Sequence, residues 1–220
     1  MATITSLIRL KYDEIYILRK YITERNVSSV CTDDTFLLRY ILSFGSAKSA
    51  EEPILKALEW RHNNRQMLKD LHERNIIPYE EIVKKYICLE QHPLTTDSEP
   101  VIFLKLENIN IGDLLNHITI EQFGDYLMMF NERNFQLCDS ISREKNQFVK
   151  QLFVIDMHNA SMWSLMNPTA ITYVGALQDI AYYLFPEIND KIILRNVPYF
   201  IKMFYSFLSV ENLKKIIIDA

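Results

Sequence analysis

The chain is short of glycine. Four occur in 220 residues, Gly45, Gly112, Gly124 and Gly175, and none forms a Gly-x-Gly-x-x-Gly turn or a Walker-type loop. Nucleotide binding through a glycine-rich phosphate cradle is therefore excluded. Cysteine is scarce too. Cys31, Cys88 and Cys138 are widely separated and odd in number, which argues against a disulfide framework and fits reduced, mostly buried thiols in a cytosolic protein. No apolar run approaches the ~18 residues that a membrane span needs. The opening "MATITSLIRLKYDEIYILRK" is interrupted by Arg9, Lys11, Asp13 and Glu14, so it lacks the apolar stretch of a signal peptide. Positive charge is not in excess either: the net charge of -4 speaks against a nucleic-acid partner, which usually meets a basic face.

Catalytic and metal-binding patterns are also missing. His62, His72, His92, His117 and His158 are scattered, with no His-x-His or His-Glu-x-x-His pair to hold a metal. Asp156 and His158 lie two apart at a strand end and could share one side, but no nucleophile signature accompanies them. Ser161 sits in "NASMW", which is not the Gly-x-Ser-x-Gly elbow. The expectation is a protein that is not an enzyme, with no catalytic residue, no metal and no cofactor.

What is present is patterned hydrophobicity. Asp33 precedes "DTFLLRYILSF", in which Phe36, Leu37, Tyr40, Ile41 and Phe44 recur at helical spacing until Gly45 stops them. Ser49 to Glu52 reads as a capping box with Pro53 in the first turn, opening a helix that carries Ile54, Leu55, Leu58 and Trp60 inward to about Leu71. The period then changes. "YICLEQ" and "PVIFLKL" read as a hairpin around "PLTTDSE". Thr119 and Gln122 cap a long helix ending near Ile141. "QLFVIDM" and "KIILRNV" are strands, "NPTAITYVGALQDIAYYLF" a buried helix opened by Asn167 and Pro168, and "KKIII" a last strand. Strand, helix, strand, helix, strand predicts an α/β sheet with parallel pairing, its floor including Phe103, Phe153, Ile155 and Ile193.

One helix is apolar almost all round. After Pro198, Phe200, Met203, Phe204, Phe207 and Leu208 cover one face and Ile201 and Tyr205 most of the rest, leaving a narrow stripe of Lys202, Ser206 and Ser209. A surface helix normally gives half its circumference to water, so this helix has a second apolar face to account for. The charged stretch Ser142 to Lys150, with Arg143, Glu144, Lys145 and Lys150, reads as a solvated connection, the alternative being contact with acidic membrane lipids.

Asp33 to Arg61, "DDTFLLRYILSF…AEEPILKALEWR", resembles the helical amino-terminal part of CRAL-TRIO lipid-binding proteins. Leu177 to Ile218, with its "FPE", "NVP" and "KKI" elements, resembles the segment running through their gate. The best-known members are phosphatidylinositol transfer proteins of secretory membranes. The resemblance implies a helical amino-terminal part over 1–75 and a lipid-binding domain over 76–220, with a mixed, mainly parallel sheet under a helical gate and an apolar pocket. The family's carboxyl-terminal continuation is missing after "IIIDA", so the domain is expected to be incomplete. Phe200, Met203, Phe204, Phe207 and Leu208 become gate and pocket residues, and Glu187 and Lys215 match the family's headgroup-binding positions.

The expected function is to bind a phospholipid or other hydrophobic ligand and to transfer or present it between membranes. The protein would be a cytoplasmic monomer with transient membrane association. The alternative is a lipid-free interaction module in signalling or trafficking. Phe44, Gly45 and Ile188 stand where basic residues are frequent, Asn212 where threonine is usual and Asn159 where glycine is usual. The departures at the basic positions imply a weakly held headgroup, with the acyl chains supplying most of the affinity.

Overall fold

Three helices in the amino-terminal part begin where a short polar side chain can accept a free backbone N–H, an arrangement worth about 1 kcal/mol per cap. The computed structural model describes residues 2–25, 32–160, 168, 175, 177, 180–198 and 215–219. Thr3 caps α1 (Ile4–Leu10), which meets α2 (Tyr12–Glu24) across a single residue. Asp33 accepts from the Phe36 N–H and starts α3 (Asp34–Phe44); Gly45, at φ 85°, ends it as expected. The next cap is Ser46 and not Ser49. Ser46 accepts from the Ser49 N–H, so α4 spans Ala47–Asn63 and Pro53 lies inside it. The cause is local: Gly45 frees the chain to turn at once, and Ser46 is the first side chain able to cap. A break at Asn64 then separates α4 from α5 (Arg65–Arg74), where a single helix to Leu71 was expected.

After α6 (Glu80–Val83) the chain forms the hairpin of β1 (Cys88–His92) and β2 (Val101–Lys105). A short α7 (Ile111–Leu114) leads to α8 (Ile120–Lys145), whose Thr119–Gln122 capping box is complete and whose end lies four residues past Ile141. Strands β3 (Gln151–Asp156), β4 (Asn189–Arg195) and β5 (Ile216–Asp219) follow. Between β3 and β4, Pro168, Gly175, Leu177 and residues 180–184 are helical. The sheet order is β1-β2-β3-β4-β5, with the hairpin antiparallel and every later pair parallel. This is the mixed α/β architecture the sequence predicts.

Two apolar cores share α8. Phe123, Tyr126, Met129 and Phe130 pack it on the sheet, and Met128 and Phe135 turn toward α3, α4 and Leu184–Phe185. The four floor residues expected to lie together separate by the strand's period of two. Phe153 and Ile155 pack in the core on the α8 side with Ile102, Ile192 and Leu194. Phe103 and Ile193 fall on the opposite face, in register through Val154, and the His92 ring stacks on Phe103 at 5.0 Å.

The Cys138 thiol is buried and unbonded, and burial pushes its pKa up to about 12, so it is inert packing. Cys88 is free and half-buried; Cys31 lies outside the described residues.

Candidate functional site

Parallel pairing lines up the amino ends of β3, β4 and β5, and each is preceded by a charged residue: Lys150 before β3, Glu187 two residues before β4, and Lys215 before β5. Residues up to 65 positions apart in sequence therefore meet at one corner. Glu187 pairs with Lys150, both side chains part-buried. The Lys215 ammonium donates to the Asn189 carbonyl at 3.0 Å. Gln151 ties the corner together: its N–H donates to the Ile188 carbonyl at 2.8 Å and its side-chain amide to Asn189 Oδ1 at 2.7 Å. Gln151 is buried, and its Oε1 has no hydrogen-bond partner.

Two backbone irregularities coincide here. Glu187 has φ 60°, the left-handed region that a residue with a side chain occupies at a cost. The β3–β4 register then slips, pairing Gln151 with Asn189 but Leu152 with Lys191, so that Asp190 is the extra residue of a bulge. Bulges of this kind re-aim side chains and are frequent beside functional sites. Ile188, between these features, is buried in the core shared with α3 and α4. Its departure from a basic residue is thus a packing requirement. Phe44 and Gly45 are likewise structural: Phe44 stacks among Tyr40, Tyr182 and Tyr183, and Gly45 is the α3 cap.

The structure thus places Glu187 and Lys215 at the same corner and adds Lys150, which the sequence reading assigned to a solvated connection. Arg143 and Lys145 of that stretch are also engaged, Arg143 with Asp33 and Asp139 and Lys145 with the Asp97 carbonyl. A signal for Lys150 was available, since it directly precedes a strand expected to pair with the strand after Glu187. Phe200, Met203, Phe204, Phe207 and Leu208 lie outside the described residues.

The carboxyl ends of the same strands are built differently. Asp156 accepts from the His158 backbone N–H at 3.0 Å and from Asn196 Nδ2 at 2.8 Å. The Asn196 bond, helped by the turn, lowers its pKa. Asp156 therefore caps the turn through the His158 backbone, and Asn159 takes the left-handed conformation of a glycine at φ 51°. Arg195 and Asp219 form an exposed pair at 3.5 Å. Among the described residues no group of three or more His, Cys, Asp or Glu side chains could hold a metal ion, and no helix is long and apolar enough to cross a membrane.

A third charged cluster is buried between the helical part and α8. Arg61 of α4 donates to Glu132 of α8 at 2.7 Å, both almost fully enclosed. Arg39 of α3 reaches Asp139 at 3.4 Å and the Ser142 hydroxyl at 3.0 Å. The Phe135 ring lies against both guanidinium groups.

Comparison with known proteins places residues 84–217 within the model of the CRAL/TRIO domain. Among solved structures, the crystal structure of Sfh5 matches with a TM-score of 0.57 and 13% identity over 82% of this chain. The matched part is 62% of the Sfh5 chain, so this chain spans less than two thirds of that protein's length. That likeness is one of fold. No curated protein matches by sequence.

Proposed function

Because the chain belongs to the CRAL/TRIO domain family, a family of lipid-binding proteins, we propose that it carries a phospholipid or related amphiphile and transfers or presents it between membranes. The polar head of the ligand would sit at the Lys150–Glu187–Lys215 corner. The acyl chains would run along β4 and β5, where Ile217 and Ile218 of β5 keep apolar surface open on the two faces of the sheet.

The observation that carries this reading is the convergence of two ammonium groups, a carboxylate and an unpartnered, buried amide oxygen at the end of an apolar sheet. Ammonium groups offer point charges to a phosphate, and a carboxylate accepts from ligand hydroxyls. Lys150 supplies a cation that partly offsets the basic residues missing at Phe44, Gly45 and Ile188. Each charge-assisted bond is worth about 1.5–3 kcal/mol, so one such bond changes affinity about ten-fold or more.

The helix expected over the segment after Pro198 is proposed as the gate, with Phe200, Met203, Phe204, Phe207 and Leu208 lining the pocket. Introducing Phe204→Asp and Phe207→Asp together should abolish uptake of a fluorescent phospholipid while leaving far-UV helicity largely intact. Unchanged uptake removes the gate from the account. A second reading, a lipid-free interaction module, draws on the fact that Lys150 already satisfies Glu187 within the chain. Lipid analysis of the purified protein decides between them: a co-purifying lipid supports the carrier, and a folded protein that neither holds nor takes up lipid supports the module.

A further inference from the structure

Among the described residues, the most exposed apolar corner lies far in sequence from the sheet. Helices α1 and α2 meet across Lys11 alone, and the apex this creates carries Leu10 with 76% of its surface exposed and Tyr12 with 63%. Tyr16, one helical turn further along α2, is 62% exposed and extends the same surface. The inward side of α2 is satisfied separately by Ile15, Leu18 and Ile22. This outer face is therefore not a core stripe left half covered.

Charge accompanies it in a particular way. Arg9 and Lys11 flank Leu10, and among the described residues neither side chain has an ion-pair partner. Elsewhere on α2 the cations are engaged, Arg19 with Asp34 and Lys20 with Glu24. Asp13 is the acidic residue beside the corner on its exposed side, and Glu14 is turned inward to accept the Ala47 N–H at 2.6 Å. The corner thus presents one leucine and two tyrosines bracketed by two unpaired cations, on a chain whose net charge is -4.

We propose that this corner docks on an anionic lipid surface, independently of whatever the sheet binds. Tyrosine rings favour the boundary between headgroups and acyl chains, where the ring is apolar and the hydroxyl stays wet. A leucine at a convex turn can reach the acyl boundary, and unpaired Arg and Lys side chains are attracted to a negatively charged leaflet. A flat, deformable bilayer matches a protruding corner better than a protein partner does, since the dominant anchors of protein interfaces are seated in fully desolvated pockets.

The test is co-sedimentation of the full chain with protein-free vesicles of phosphatidylcholine alone or mixed with phosphatidylserine, at low and several-fold higher salt. The wild type is expected to bind the mixed vesicles, to lose binding as salt rises, and to bind neutral vesicles about ten-fold more weakly or worse. Leu10→Glu, and separately Arg9→Gln with Lys11→Gln, should each weaken binding to mixed vesicles about ten-fold while circular dichroism and lipid uptake stay at wild-type levels. Leu94→Glu, the same change at an exposed leucine in the β1–β2 loop, should bind as the wild type does. Equal binding to both vesicle types, corner variants that bind as well as wild type, a Leu94→Glu variant that is equally impaired, or a wild type that ignores vesicles altogether each overturns the proposal. In the last case the corner belongs to a protein partner.

Discussion

Arg61 and Glu132 meet between α4 and α8 with 7% and 3% of their side chains exposed, whereas Lys150 and Glu187 meet at the amino ends of β3 and β4 with 29% and 24% exposed. Both are ion pairs joining distant parts of the chain, yet their surroundings differ. The first lies among Phe36 and Phe135, with the Gln136 amide also donating to Glu132, and Arg61 Nε and Nη2 and Glu132 Oε2 are buried without a hydrogen-bond partner. The second has a left-handed backbone and a strand bulge beside it. A buried pair locks two elements in one arrangement because neither charge can be released without a large desolvation penalty. A part-buried pair can be exchanged for a ligand's charge at little cost. The first is a clamp between the helical part and the sheet domain; the second has the properties of a site.

The largest expected effect lies at the clamp. Glu132→Ala leaves the Arg61 guanidinium buried and unpaired, which should destabilise the chain by about 3–5 kcal/mol in chemical denaturation. Removing both charges, Arg61→Met with Glu132→Leu, should recover most of that loss. A double variant as unstable as the single one would show that the pair does more than neutralise itself. At the corner, Glu187→Gly and Glu187→Ala both lose the pair with Lys150 but differ in backbone strain at φ 60°. The glycine variant should be the more stable by about 1 kcal/mol. Equal stabilities would mean that the backbone relaxes there and the corner is not held.

A smaller effect is expected on the rim of the clamp. Burial raises the Asp33 pKa, but the Arg143 hydrogen bond and the α3 N–H groups outweigh it and hold the carboxyl below its ordinary value of 3.8. A carboxylate with a depressed folded pKa contributes stability that is fully present above the unfolded value and lost as pH falls through the folded one. Stability should therefore drop below about pH 3.8, by a fraction of a kcal/mol because the pair is half exposed. Asp33→Asn should flatten that part of the acid limb. An identical acid profile in the variant would remove Asp33 from the account.

Much of the fold was legible because its signals are local. Asp33, Gly45, Thr119 and Gln122 fix helix ends by short-range hydrogen bonds, and each reading held. Ser49 misled because Ser46, three residues earlier, satisfies the same chemistry first. Phe103 and Phe153 were grouped by hydrophobicity alone, while their faces depend on pairing register. The corner was half visible. Glu187 and Lys215 came from resemblance, while Lys150 joins them through parallel pairing that its place before β3 hinted at, across a bulge that no local pattern encodes. The clamp was not foreseen, because Arg39, Arg61 and Glu132 look like ordinary surface charges on amphipathic helices until α8 packs against α3 and α4.

The most direct test of the central claim is extraction of a labelled phospholipid from vesicles by purified variants, compared at equal folded concentration. Lys150→Ala, Lys215→Ala and Glu187→Gln are each expected to lower retention of a phosphatidylinositol probe about ten-fold or more, with stability changed by no more than about 1 kcal/mol. Arg195→Gln and Asp219→Asn, at the carboxyl ends of β4 and β5, should leave retention unchanged. Corner variants that retain the probe as well as the wild type does, or variants at the carboxyl ends that lose it equally, would contradict the assignment of the corner as the polar end of a lipid site.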